Sequence, residues 1–152
     1  MMKGKKYCLL IMVNLTILYI KLCLKGSLSM LVCMTKDFAR LYKKAHIGEK
    51  KLNDAIREIC AGNAISLGHK VFKKRIGSRF GGKRGGFRSI LFWQIDKAIV
   101  FMYLYAKNKR DDITEREKKA FIELAMIFEK MNIEKIKQAI TQGRLIRWDY
   151  AD

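Results

Sequence analysis

Three features of this 152-residue chain predict an α+β domain, with helices packed on a small antiparallel sheet. Leu52, Ala55, Ile56, Ile59 and Cys60 recur at the spacing of one helical face. Two runs rich in aromatic and β-branched residues, Phe87–Gln94 and Ala98–Ala106, follow each other across a short turn at Ile95, Asp96 and Lys97, as hairpin strands do. A second helical pattern then fills the C-terminal part. Helices, then strands, then helices is the order of segregated α+β folds. The length suits one domain with a real core and hardly two. Half of the residues are apolar, which excludes compositional disorder.

In chain order, residues 31–34 read as a short first strand. Residues 37–44 follow as a helix, with Phe38, Leu41 and Tyr42 on one side. The clear helix ending at Cys60 is stopped by Gly62 and Asn63. Residues 69–76 mix Val71, Phe72 and Ile76 with bases, which suggests a strand with one charged face. Residues 77–86 hold five glycines and read as a loop. The run Ala98–Ala106 is nearly all apolar and belongs in the middle of the sheet. Thr114 and Glu117 form a capping-box pattern, opening a helix with Ala120, Phe121, Leu124, Ala125, Ile127, Phe128 and Met131 on its buried face. Asn132 caps a last short helix carrying Ile133, Ile136 and Ile140, and Gly143 ends it. Residues 145–150 alternate enough for a closing strand. The expected order is β-α-α-β-β-β-α-α, with that closing strand behind it.

Residues 1–29 stand apart. An apolar run over 7–20 follows Lys3, Lys5 and Lys6, the shape of a signal peptide's first two regions. It is short of the ~20 apolar residues that a membrane helix needs. It reads as a secretion signal, a membrane-associated helix or a translation start placed too far upstream. The last is favoured here: Met30 and Met34 are internal starts, and Lys25-Gly26 is encodable as a ribosome-binding sequence. The domain proper is then 30–152.

The net charge is +18, from 32 Lys and Arg against 14 Asp and Glu. Such a surface attracts polyanions: nucleic acid, ribosome, acidic protein or anionic membrane. The charge is concentrated. From Ile59 to Ile95 no acidic residue occurs, while Lys70, Lys73, Lys74, Arg75, Arg79, Lys83, Arg84 and Arg88 all do. Cys8, Cys23, Cys33 and Cys60 form no CxxC pair, and with only His46 and His69 beside them no metal site is expected. The thiols read as reduced, the protein as cytoplasmic, and no cofactor is implied.

The segments KVFKKRIG, GGKRGGFRSILF and FMYLYAKNKRDDIT, followed by a helix and IEKIKQAITQGRLI, resemble the HigB-like branch of the RelE/ParE toxin superfamily over about 30–152. The resemblance implies a RelE-like fold, a compact sheet wrapped by N-terminal and C-terminal helices, with a basic concave face. It implies a toxin that binds the ribosomal A site and cuts mRNA there, held by an antitoxin with a helix-turn-helix domain. The ParE branch poisons DNA gyrase instead and is the alternative within the superfamily. A basic nucleic-acid-binding or membrane-associated protein without catalysis is the alternative outside it.

RNA carries its own nucleophile. The 2′-OH attacks the adjacent phosphate, so a protein must splay the nucleotide, move two protons and stabilise the phosphorane. Arg and Lys suffice for the charge, Arg through its fork of donors. The expected catalytic set is Arg75 and Arg88, supported by Lys73 and Lys74, with His69 as a candidate acid or base. Arg88 follows Gly85-Gly86-Phe87, matching the arginine at the start of the corresponding strand in RelE-like toxins. Lys73 and Arg75 share a face of a regular strand, His69 falls on that face too, and Lys74 points the other way unless a bulge intervenes. A surface histidine is the plainer reading of His69. Lys70, Arg79, Lys83, Arg84, Lys107, Lys109 and Arg110 are the expected RNA-binding residues, with a solvated loop the alternative for Arg79, Lys83 and Arg84. Phe80 and Phe87 are candidate stacking residues, Phe87 reading more readily as core. Tyr103 and Tyr105 read as core or sheet-face residues. A carboxylate is missing from the basic patch, which leaves the general base unassigned.

Overall fold

The computed structural model describes residues 30–79 and 86–150. The leader expected at 1–29 lies outside the described residues, as do Phe80, Lys83 and Arg84. The chain divides into two units, and the second, Leu31–Asp152, holds every element below. These are β1 (Leu31–Thr35), α1 (Lys36–Lys44), α2 (Glu49–Cys60), β2 (Ile65–Gly68), β3 (Val71–Ile76), β4 (Phe87–Gln94), β5 (Ala98–Ala106), α3 (Glu115–Lys130), α4 (Ile133–Thr141) and β6 (Leu145–Arg147). The strands form one six-stranded sheet in the order β2-β3-β4-β5-β1-β6. β1 runs parallel to β5, and every other pairing is antiparallel. The expected α+β class is the observed one.

The apolar pattern explains the order. β5 lies between β4 and β1, and residues 98–102 are buried without a break. Strands covered on both faces read as continuous apolar runs, and Leu31, Val32, Cys33 and Met34 of β1 do the same. One face is covered by α1 and α2, where Phe38 meets Phe101 at 5.0 Å between ring centroids. The other is covered by α3 and α4, where Phe128 meets Phe92 at 5.8 Å. Phe38, Phe92 and Phe101 are fully buried, each contributing roughly 1.5–3 kcal/mol. The Thr114–Glu117 capping box opens α3 and Asn132 caps α4, both as their spacing predicts.

Three strands depart from expectation, and on α3 Ala120 and Ile127, expected on the buried face, turn to solvent. β2 was not anticipated. It is an edge strand of four residues with Ile65 63% exposed, so neither burial nor alternation marks it. The expected strand over 69–76 starts only at Val71, because His69 and Lys70 form the two-residue turn joining β2 to β3. Both have positive φ, 48° and 61°, as the centre of a type I′ hairpin turn requires. At the other end of the chain, β6 is shorter than expected. Beyond it, Trp148 donates its indole N–H to Asn53 of α2 at 2.8 Å, tying the tail to the helical layer.

Candidate functional site

β3, β4 and β5 are antiparallel neighbours, so the end of β3, the start of β4 and the end of β5 lie at one end of the sheet. Cross-strand partners project from the same face. The register sets Arg75 opposite Arg88, and Arg88 opposite Tyr105. Lys73, two residues before Arg75, shares that face, which toward the other end of these strands is covered by the C-terminal helices. Two like charges directly opposed in a sheet are destabilising. The pairing gathers positive charge on one patch of this face, where an anion would be held.

Gly86 makes room for it. A Cβ there would lie 3.0 Å from the Ile76 carbonyl oxygen and 3.5 Å from Arg75 Nε, so the bare backbone lets the Arg75 side chain lie close. The Gly86 carbonyl in turn accepts from Lys107 N at 3.1 Å, binding the start of β4 to the end of β5.

The segment after β5 supplies the carboxylates that the basic stretch lacks. Asp112 accepts from Lys73 Nζ at 2.7 Å through Oδ2 and from the Tyr105 hydroxyl at 3.2 Å through Oδ1. The lysine holds the Asp112 carboxyl below its ordinary pKa, with the Ile113 amide and Tyr105 assisting. Burial, then the nearby Asp112 charge, pushes the Tyr105 phenol up to about 12. Arg110 forks onto Glu117 with N–H···O distances of 2.9 and 2.5 Å, and its Cζ sits 5.3 Å from the Tyr105 ring centroid. That pairing, with the Thr114 amide, draws Glu117 down to about 2 and raises the guanidinium further above its usual value.

The structure brings together Lys73, Arg75 and Arg88 as expected, and adds Tyr105 and Asp112. Sequence reasoning left Tyr105 among the sheet residues and found no carboxylate. The strand register and the turn after Arg110 supply both, and neither is visible as a motif. Two expected members are not brought to the cluster. Lys74 turns to the opposite face, where it is 8% exposed and bonds Glu58 at 2.5 Å and the Asn63 carbonyl at 2.6 Å. No bulge interrupts β3 and β4 there, so alternation sends it toward α2. His69 sits in the hairpin turn, six residues from Arg75, or about 20 Å of extended strand, and it lies near Glu129 of α3.

The expected RNA-binding residues divide similarly. Lys70 pairs with Glu129 at 2.6 Å and Lys107 with Asp111 at 3.2 Å. Arg79 and Lys109 are exposed at the site's end of the sheet. Phe87 is half-buried at the start of β4, on the face opposite Arg88. Among the described residues no helix is long and apolar enough to cross a membrane.

Residues 30–147 match the family model described as the RelE toxin of the RelE/RelB toxin-antitoxin system. No curated protein matches the chain. With the fold and the match over most of its length, the chain belongs to the RelE toxin family.

Proposed function

We propose that this chain is a HigB-type toxin that cuts ribosome-bound mRNA without a metal ion, and that a cognate helix-turn-helix antitoxin holds it inactive. The observation that carries the reading is the opposed Arg75–Arg88 pair with Lys73 on the same sheet face. Two guanidinium forks and an ammonium make a site for one phosphate and for the charge that grows on it.

The reaction needs a bond from the 2′-oxygen to phosphorus and loss of the bond from phosphorus to the 5′-oxygen. The products are a 2′,3′-cyclic phosphate and a 5′-hydroxyl. One proton leaves the 2′-OH and one reaches the leaving oxygen. Tyr105, pushed up to about 12, remains protonated at neutral pH and serves as the donor. Asp112 is the acceptor. Lys73 is the first cause of its lowered pKa, so a phosphate that draws Lys73 away restores its basicity. Arg75 and Arg88 hold the phosphorane. Arg79, Lys83, Arg84 and Lys109 add salt-sensitive affinity along the RNA, with Lys70 and Lys107 at the margin. An acidic antitoxin segment laid over the face from Lys70 to Arg88 would compensate the same charge.

Purified ribosomes programmed with mRNA test the reading. The expected result is cleavage with 2′,3′-cyclic phosphate ends, lost in Arg75→Ala plus Arg88→Ala. Intact mRNA together with inhibited gyrase supercoiling would replace it with the ParE-like reading. Intact mRNA and unaffected gyrase would leave a basic binding protein.

A further inference from the structure

We infer that Arg110, clamped by Glu117, is a positioning residue that fixes the Tyr105 ring against Asp112, and not a phosphate ligand. The inference rests on the proposed cleavage site and adds a device behind it.

Three of the five N–H donors of Arg110 are already placed on the protein. Two bond the Glu117 carboxylate, and Nε donates to the Asp112 carbonyl at 3.1 Å. The fork that would grip a phosphate is therefore filled. The guanidinium carbon lies over the Tyr105 ring, and its Nε bond fixes the turn from which Asp112 reaches Tyr105. One side chain thus sets both partners of the Tyr105–Asp112 hydrogen bond.

Glu117 is anchored in turn. It is the third residue of α3, and its Oε2 accepts from the Thr114 amide at 2.7 Å and the Thr114 hydroxyl at 3.0 Å. α3 is held to the sheet by Phe128 on Phe92 and by Phe121 on Tyr103, whose centroids are 5.7 Å apart. The helix start is therefore a fixed point, and Arg110 carries its position to the proton-transfer pair. A bidentate pair suits this, because its planar geometry leaves little freedom. Displacing a reacting group by about 1 Å costs up to about 100-fold in rate.

The test uses the full chain with Arg110→Met, Glu117→Gln and both together. Glu117→Gln keeps a capping residue at that position while removing the charge, so the helix start survives. Each variant should lower kcat for ribosome-dependent cleavage by about 10- to 100-fold with KM within about twofold. The double variant should lose no more than either alone. The salt slope of RNA binding should stay that of the wild type. A raised KM with a salt slope reduced by about one would make Arg110 a phosphate ligand and overturn the inference.

A second measurement does not depend on cleavage. In protein carrying ¹³C-tyrosine, the Tyr105 ring signal, identified with Tyr105→Phe, should shift in both single variants while melting shows the fold intact. Unmoved ring signals in both would overturn the positioning role whether or not the chain cuts RNA. A chain that cuts no RNA but shows the shifts would sink the cleavage reading and leave the clamp standing.

Discussion

Arg88→Met separates a residue kept for a ligand from one kept for the fold. Methionine preserves the unbranched stem and removes the charge opposite Arg75. Cross-strand Cβ atoms lie about 5 Å apart, and roughly 7 Å is the scale of separation for two extended heads that avoid each other. At an effective dielectric constant of about 40–80, two unit charges there repel by roughly 0.6–1.2 kcal/mol. The lost hydrogen bond, Arg88 Nη1 to its neighbour's carbonyl at 3.4 Å, is long and returns little. The variant should therefore be more stable by about 0.5–1 kcal/mol, which for a domain of this size raises Tm by roughly 2–4 °C. Because the term is coulombic, the gain seen in 50 mM salt should shrink in 1 M, where the screening length falls to about 3 Å. Cleavage should fall by at least about 100-fold, as when one transition-state donor is removed. Thermal melting at both salt concentrations, with a ribosome cleavage assay, reads all three. A lower Tm at low salt, or a gain unchanged by 1 M salt, would refute the charge-opposition reasoning.

Lys74→Ala should act oppositely, costing about 1–3 kcal/mol because the buried lysine stem and its bonds to Glu58 and the Asn63 carbonyl are lost, while cleavage per folded molecule stays at the wild-type level. Denaturant midpoints beside active-site titration measure this, and a stable but inactive variant would return Lys74 to the site. Glu117 predicts a pH dependence. Its carboxyl falls from 4.5 to about 2 on folding, so its stabilisation is complete above pH 4.5 and is lost as the pH falls toward 2. Urea midpoints should drop more steeply over that window for the wild type than for Glu117→Gln, and parallel curves would contradict the pairing. Gly86→Ala should press on the Ile76 carbonyl and displace Arg75, lowering cleavage by about tenfold with a stability loss of about 1–2 kcal/mol. Full activity in that variant would show that Arg75 needs no such close approach.

What could be read from the sequence follows from which forces act locally. Helix caps are local, and Thr114, Glu117 and Asn132 announce theirs by spacing alone. Burial on both faces is local too, so the apolar run of β5 places it inside the sheet. The shared face of Lys73 and Arg75 was legible because alternation fixes faces along a strand, whereas Arg88's place opposite Arg75 comes from the register. What stayed hidden depends on pairing between distant segments. β2 is defined by its bonds to β3 and by nothing in its own composition. His69 looked like an in-line strand residue until a two-residue turn claimed it. Tyr105 reads as one more apolar strand residue until the register sets it opposite Arg88. Asp112 sits in a mixed-charge stretch 39 positions from the lysine it pairs with, and only the folded chain joins them.

The most direct test of the central claim is to map mRNA 5′ ends during induced expression from Met30, comparing the wild type with Arg75→Ala plus Arg88→Ala. An RNA-cleaving site on the open sheet face predicts growth arrest with new mRNA ends in the wild type, both absent in the double variant. Growth arrest with no new ends, or new ends that persist in the double variant, would contradict it.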